Sequence, residues 1–148
     1  MPGGVKNYVH LEFPSDPENV GVARVLVASF AAQLDFTLEE IDEIRVATSE
    51  AVSNAIIHGY VNSPGMVSVR VNLYENLLEI IVEDQGVGIE DIALASQPSF
   101  STDPERMGLG LVFMDSFMDK LEIDSAPGRG TRVRMLKSPQ QTAGRNRN

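Results

Sequence analysis

Between residues 67 and 82, Val67, Val69, Val71 and Leu73 alternate with polar neighbours, "ENL" follows, and Leu78, Ile80 and Val82 alternate again. Period-two alternation places these seven apolar groups on one face of a hairpin. A sheet face this apolar has to be covered by another layer. Two upstream segments have the pattern of helices suited to cover it. "SDPE" offers Ser15 as N-cap, Pro17 in the first turn and Glu18 at the capping-box position, and predicts a helix to about Leu34 that buries Val20, Ala23, Val27, Phe30 and Leu34. "TLEE" repeats the grammar with Thr37 and Glu40, and predicts a second helix running to His58 and stopping at Gly59.

The remaining elements complete a two-layer plan. "YVHLEF" alternates Val9, Leu11 and Phe13 with His10 and Glu12, as a half-buried strand does. After "DQGVG", "IEDIALA" is expected to form a short helix, "SQPSFSTDPERMG" a loop, and Leu109 to Met118 a third helix. "LEID", the turn "APGRG" and "TRVRML" make a second hairpin. Strand, two helices, two strands, loop, helix and two strands give a two-layer α/β sandwich, with helices on one face of a mixed, mostly antiparallel sheet. Residues 1–137 are expected to form one domain, and residues 138–148, "SPQQTAGRNRN", a disordered tail without apolar character.

Charge and composition narrow the partners. Twelve Lys and Arg against 21 Asp and Glu leave a net charge of −9, which opposes binding to nucleic acid phosphates. With no cysteine, disulfides and thiolate chemistry are excluded. No basic-then-apolar leader opens the sequence and no apolar run approaches the roughly 20 residues of a bilayer span, so a cytoplasmic protein without membrane attachment is expected.

The second helix contains "SEAVSNAIIHGY", in which Glu50, Asn54 and His58 recur at intervals of four. At about 100° per residue they form a narrow strip, expected to be hemmed in by Val46 and Ile57 on one side and Ala47 and Ala51 on the other. Polar groups in such surroundings need partners. Backbone and water at the edge of the core would satisfy them; so would a ligand.

Three glycine-bearing breaks follow. In "VEDQGVGI" a strand ends at Asp84, and Gly86 and Gly88 permit a sharp turn and close approach to a ligand. In "ERMGLGLVFM" Gly108 and Gly110 open an apolar helix, an arrangement suited to phosphate, with Arg106 just upstream. In "GRGTRV" Gly128 and Gly130 precede Thr131. Taken singly, each is also an ordinary turn or loop-to-helix junction.

In this order, Glu-x-x-x-Asn, Asp-x-Gly-x-Gly, Gly-x-Gly and Gly-Thr resemble the N, G1, G2 and G3 boxes of the GHKL (Bergerat) ATPase superfamily. Gly-x-x-x-x-Gly-Lys-Ser/Thr and Gly-x-Gly-x-x-Gly are both absent. From about Val9 to Leu136 the chain further resembles the anti-sigma F factors of spore-forming bacteria, serine protein kinases of this superfamily, with the anti-sigma B stress kinases a second match.

The resemblance implies ATP or ADP and Mg²⁺ as cofactors. Asn54 would coordinate Mg²⁺, Glu50 would be the general base, Asp84 would bond the adenine amino group, and Gly86 and Gly88 would let backbone pass the nucleotide. Gly108 and Gly110 would belong to the phosphate side of the lid, Thr131 would lie near adenine, and Arg106 would reach the γ-phosphate. Arg24 would contact protein partners; His58 is given no chemistry. The lid departs from the family pattern, since "TDPERMG" lacks an upstream glycine.

By the same resemblance, a homodimer would hold a sporulation sigma factor inactive and phosphorylate an anti-anti-sigma protein on serine. Two alternatives stand beside it: a nucleotide-gated sigma-binding module without useful kinase activity, which would need no Glu50, and a histidine-kinase fragment. For the latter only His10 and His58 are present as phosphoacceptors, neither on a convincing dimerisation helix.

Overall fold

The computed structural model describes residues 4–60, 63–88 and 110–140. Its elements in chain order are β1 (Asn7–Pro14), α1 (Asn19–Ala31), α2 (Leu38–Asn54), a π-helical turn (Ala55–Gly59), β2 (Met66–Leu73), β3 (Leu78–Asp84), α3 (Leu111–Phe117), β4 (Lys120–Ser125) and β5 (Thr131–Lys137). The strands form one sheet in the order β1-β2-β3-β5-β4. All four pairings are antiparallel, so the expected mixed sheet has no parallel pair among the described residues.

The expected apolar faces form the core. Val67, Val69, Val71, Leu73, Leu78, Ile80 and Val82 are all buried, and Ala23 and Val27 of α1 and Ile44, Ala47 and Val52 of α2 are buried in the same cluster. The opposite face of the sheet is charged. There Glu79 of the central strand is buried and accepts hydrogen bonds from the Asn72 amide, the Tyr74 hydroxyl and Arg134. Burial alone would raise the Glu79 pKa; these bonds and the Arg134 charge outweigh it and hold it below its usual value.

The capping box of α2 forms as its sequence predicts: Thr37 accepts from the Glu40 N–H and Glu40 from the Thr37 N–H. That of α1 does not. Ser15 is drawn away to residue 65, exchanging bonds with the Gly65 backbone, and the helix begins only after Glu18, without a side-chain cap. It ends at Ala31 rather than near Leu34. Past Lys137, the Ser138 and Gln140 N–H groups donate to Asp119 and Glu40, so the start of the expected tail packs on the domain. The segments 89–95 and 96–108, expected as helix and loop, lie outside the described residues, as does the Leu109 start expected for α3.

Candidate functional site

The second helix does not continue in α-geometry to its end. From Ala55 to Gly59 it widens into a π turn, a form often found at functional sites, and delivers Gly59 against the end of β3. Four close packings follow. A Cβ on Gly59 would press on the Asp84 carboxylate, one on Gly86 would strike the Gly59 carbonyl, one on Gly130 would strike the Asp84 carbonyl, and one on Gly88 the Ala126 carbonyl. The glycines therefore set how closely helix, turn and β5 converge on Asp84.

Asp84 is only 6% exposed. Burial pushes its pKa up, while hydrogen bonds from the Gly86 and Thr131 backbone N–H groups work against the rise. Thr131 stands directly opposite it in the β3–β5 ladder, and its hydroxyl meets that of Ser125 at 2.7 Å. The amide order of the turn is complete: Gly86 N–H reaches the Asp84 carboxylate at 2.8 Å and Val87 N–H the Gly59 carbonyl at 2.9 Å.

Beside this corner lies a small cleft. Ala51, Asn54, Ala55, His58 and Gly59 form its helical wall. Val82, Asp84 and Gly88 face them from the end of β3, Thr131 and Val133 from β5, and Leu111 from α3. A largely apolar cleft lined by an amide and a carboxylate is suited to a flat ring carrying polar edges.

Glu50 lies one helical turn before Asn54 and is half-buried; burial raises its pKa. Gly110, at φ 73°, caps α3 against it, and a Cβ there would collide with the Glu50 carboxylate oxygen. Gly110 thus leaves the room that the Glu50 carboxylate occupies.

The strip of Glu50, Asn54 and His58 is not hemmed in on both sides. Ala47 and Ala51 are buried, but Val46 and Ile57 are 39% and 53% exposed, so the strip runs along the boundary between core and solvent. Arg24 is exposed on α1 and donates to the hydroxyl of Ser49, the residue before Glu50, at 3.2 Å. Gly108 and Arg106 lie outside the described residues. From the sequence, Gly59 and Gly130 carry only the signals of a helix stop and a hairpin turn; their packing against Asp84 emerges in the fold.

The sandwich and its cleft define a nucleotide-binding ATPase domain, and the chain belongs to the histidine kinase-like ATPase domain family, which matches residues 13–137. Within it, the chain is 50% identical to the anti-sigma F factor of Caldanaerobacter subterraneus subsp. tengcongensis, over 88% of this chain and 93% of the relative. It is 48% identical to the anti-sigma F factor of Bacillus subtilis (strain 168), over 90% of this chain and 93% of that one. The solved RsbU and RsbW domains of Rv1364c from Mycobacterium tuberculosis share the fold, with a TM-score of 0.63 and 18% identity. That match covers 90% of this chain and 32% of the solved one. No helix among the described residues is long and apolar enough to cross a membrane.

Proposed function

We propose that this protein is an anti-sigma factor and ATP-dependent serine protein kinase, which inhibits a sigma F-like sigma factor and inactivates its anti-anti-sigma antagonist by phosphorylation. The observation that carries the reading is the convergence of Asn54, Asp84 and Thr131 on one cleft, with a half-buried Glu50 one helical turn before Asn54. The names and identity of the anti-sigma F relatives support the partner assignment.

In this reading Asp84 accepts a hydrogen bond from the adenine amino group, Thr131 lies beside the base, and the slot between Ala55 and Val133 excludes water from its faces. The Asn54 amide oxygen is a hard donor suited to Mg²⁺, and a single such protein ligand fits an ion held mainly by phosphate and water. Bound there, Mg²⁺ would neutralise phosphate charge. Glu50 takes the proton of the partner's serine hydroxyl as the serine oxygen bonds to the γ-phosphorus and the bond to the ADP oxygen breaks. Burial of Glu50 suits it to this work, because a raised pKa makes a stronger base. Arg106, Gly108 and Gly110 are assigned to the phosphate side by the family pattern.

Sigma-factor contact is assigned to a surface that includes Arg24, exposed beside Val25 and near Leu38 and Arg45 across an apolar groove between α1 and α2. Phosphoserine on the antagonist adds nearly two negative charges against an acidic surface, which favours release. ADP favours antagonist binding, and the working unit is a cytoplasmic homodimer.

The test is intact-mass analysis of a candidate anti-anti-sigma protein incubated with the chain and Mg-ATP, with Glu50→Gln alongside. One added phosphoryl group on serine, absent with the variant, is expected. Nucleotide binding without modification of the cognate partner would instead make the chain a nucleotide-gated sigma-binding module.

A further inference from the structure

The hydroxyl of Tyr60 joins two segments that meet beside Asp84. It donates to the Met66 carbonyl and accepts from the Gln85 N–H, each at 2.7 Å. With one proton to give, the hydroxyl commits it to Met66 and turns a lone pair to Gln85. Gln85 is the residue through which the chain leaves Asp84. Of the three successive amides at this turn, Gly86 bonds the Asp84 carboxylate and Val87 the Gly59 backbone. Gln85 alone is held by a side chain from outside the turn.

The ring is seated as definitely as the hydroxyl. A Cβ on Gly65 would overlap the Tyr60 ring, so Gly65 leaves the room the ring occupies. Gly65 is itself fixed, its carbonyl accepting from the Ser15 N–H at 2.8 Å and its N–H donating to the Ser15 hydroxyl at 3.0 Å. This is the contact for which Ser15 gives up capping α1.

We propose that Tyr60 is a positioning residue that sets base specificity: through Gln85 it holds the Asp84 carboxylate at the angle that accepts an adenine amino group and repels the guanine carbonyl. The inference rests on the reading of Asp84 as the base-recognising group. At the position where adenine carries an amino donor, guanine carries an oxygen acceptor, and two acceptors face to face leave both unpaired. That rejection works only if the carboxylate cannot swing aside. The Gly86 and Thr131 N–H groups hold it from two elements, and Gly59 packs closely against it. Releasing Gln85 frees the turn that presents the Gly86 N–H, and the carboxylate gains the freedom to turn from a guanine carbonyl.

Equilibrium titration of Mg-ATP and Mg-GTP against the full chain, Tyr60→Phe, Gly65→Ala and Asp84→Asn, with a thermal midpoint for each, tests this. Tyr60→Phe is expected to lower the ATP-over-GTP affinity ratio roughly tenfold, the size of one lost hydrogen bond. Gly65→Ala is expected to do the same with the hydroxyl retained, because the displaced ring cannot bring it to Gln85. If Tyr60→Phe loses thermal stability yet keeps the native ratio while Asp84→Asn loses it, Tyr60 only stabilises the fold and the inference is overturned. If the unmodified chain binds ATP and GTP equally, the reading of Asp84 itself falls and the inference with it.

Discussion

Replacing Gly110 by alanine perturbs the Glu50 carboxylate, the proposed general base, from the backbone of another element. Gly110 has φ 73°, a conformation that costs an L-residue about 1–2 kcal/mol. In a chain of this size that corresponds to a fall in Tm of roughly 3–6 °C. The added methyl also occupies the place of the Glu50 carboxylate oxygen, which has to withdraw by about an ångström, a displacement that costs on the order of 100-fold when it misplaces a reacting group. Steady-state phosphorylation of the anti-anti-sigma protein by Gly110→Ala should therefore show kcat lowered about 100-fold with ADP affinity unchanged. Adding Glu50→Gln to this variant should cost less than Glu50→Gln alone, since both act on one group. A variant that loses the expected thermal stability but phosphorylates at the native rate would refute the assignment of Gly110 to Glu50.

Three further outcomes are expected. Glu50→Gln should raise the thermal midpoint while stopping phosphorylation, because it removes a carboxylate whose ionised form burial disfavours; scanning calorimetry at neutral pH reads the first effect. ATP affinity should decline on acidification at higher pH than the usual aspartate value of 3.8 would give, since burial raises the Asp84 pKa and its protonated form has lost the charged acceptor; Asp84→Asn should lack that dependence. Glu79 titrates below its usual 4.5 when folded, so its stabilisation is present above the unfolded pKa and is lost as pH falls through the folded one. The gap in thermal midpoint between the native chain and Glu79→Gln should accordingly be widest above the unfolded value and close with acidification.

What the sequence disclosed was governed by distance along the chain. The α2 capping box is legible because Thr37 and Glu40 are three residues apart, and both hairpins are legible because alternation is local. Ser15 carries the same local signature, but its partner is Gly65, fifty residues away, and tertiary competition wins. The π turn leaves no mark in spacing: counting 100° steps carries Asn54 smoothly on to His58, whereas the structure widens the helix there. Gly59 and Gly130 look like a helix stop and a hairpin turn, and they are; their second property, room for Asp84, depends on elements that meet only in the fold. The exposure of Val46 and Ile57 on one flank is not legible in the sequence, because the helix alone does not show which flank is covered.

The strand order has a consequence for how the protein is made. Among the described strands β5 is the last to be synthesised, yet it lies between β3 and β4 and supplies Thr131 and Val133 to the cleft. Until it arrives, β3, which carries Ile80 and Val82, is a bare edge, the kind of surface on which unfinished chains pair with one another. The cleft is thus closed only once Thr131 and Val133 have been made. A chain terminated before Thr131 retains the apolar hairpin of β2 and β3 but lacks the strand that shields it, which makes it a candidate for aggregation and proteolysis rather than a weakened regulator.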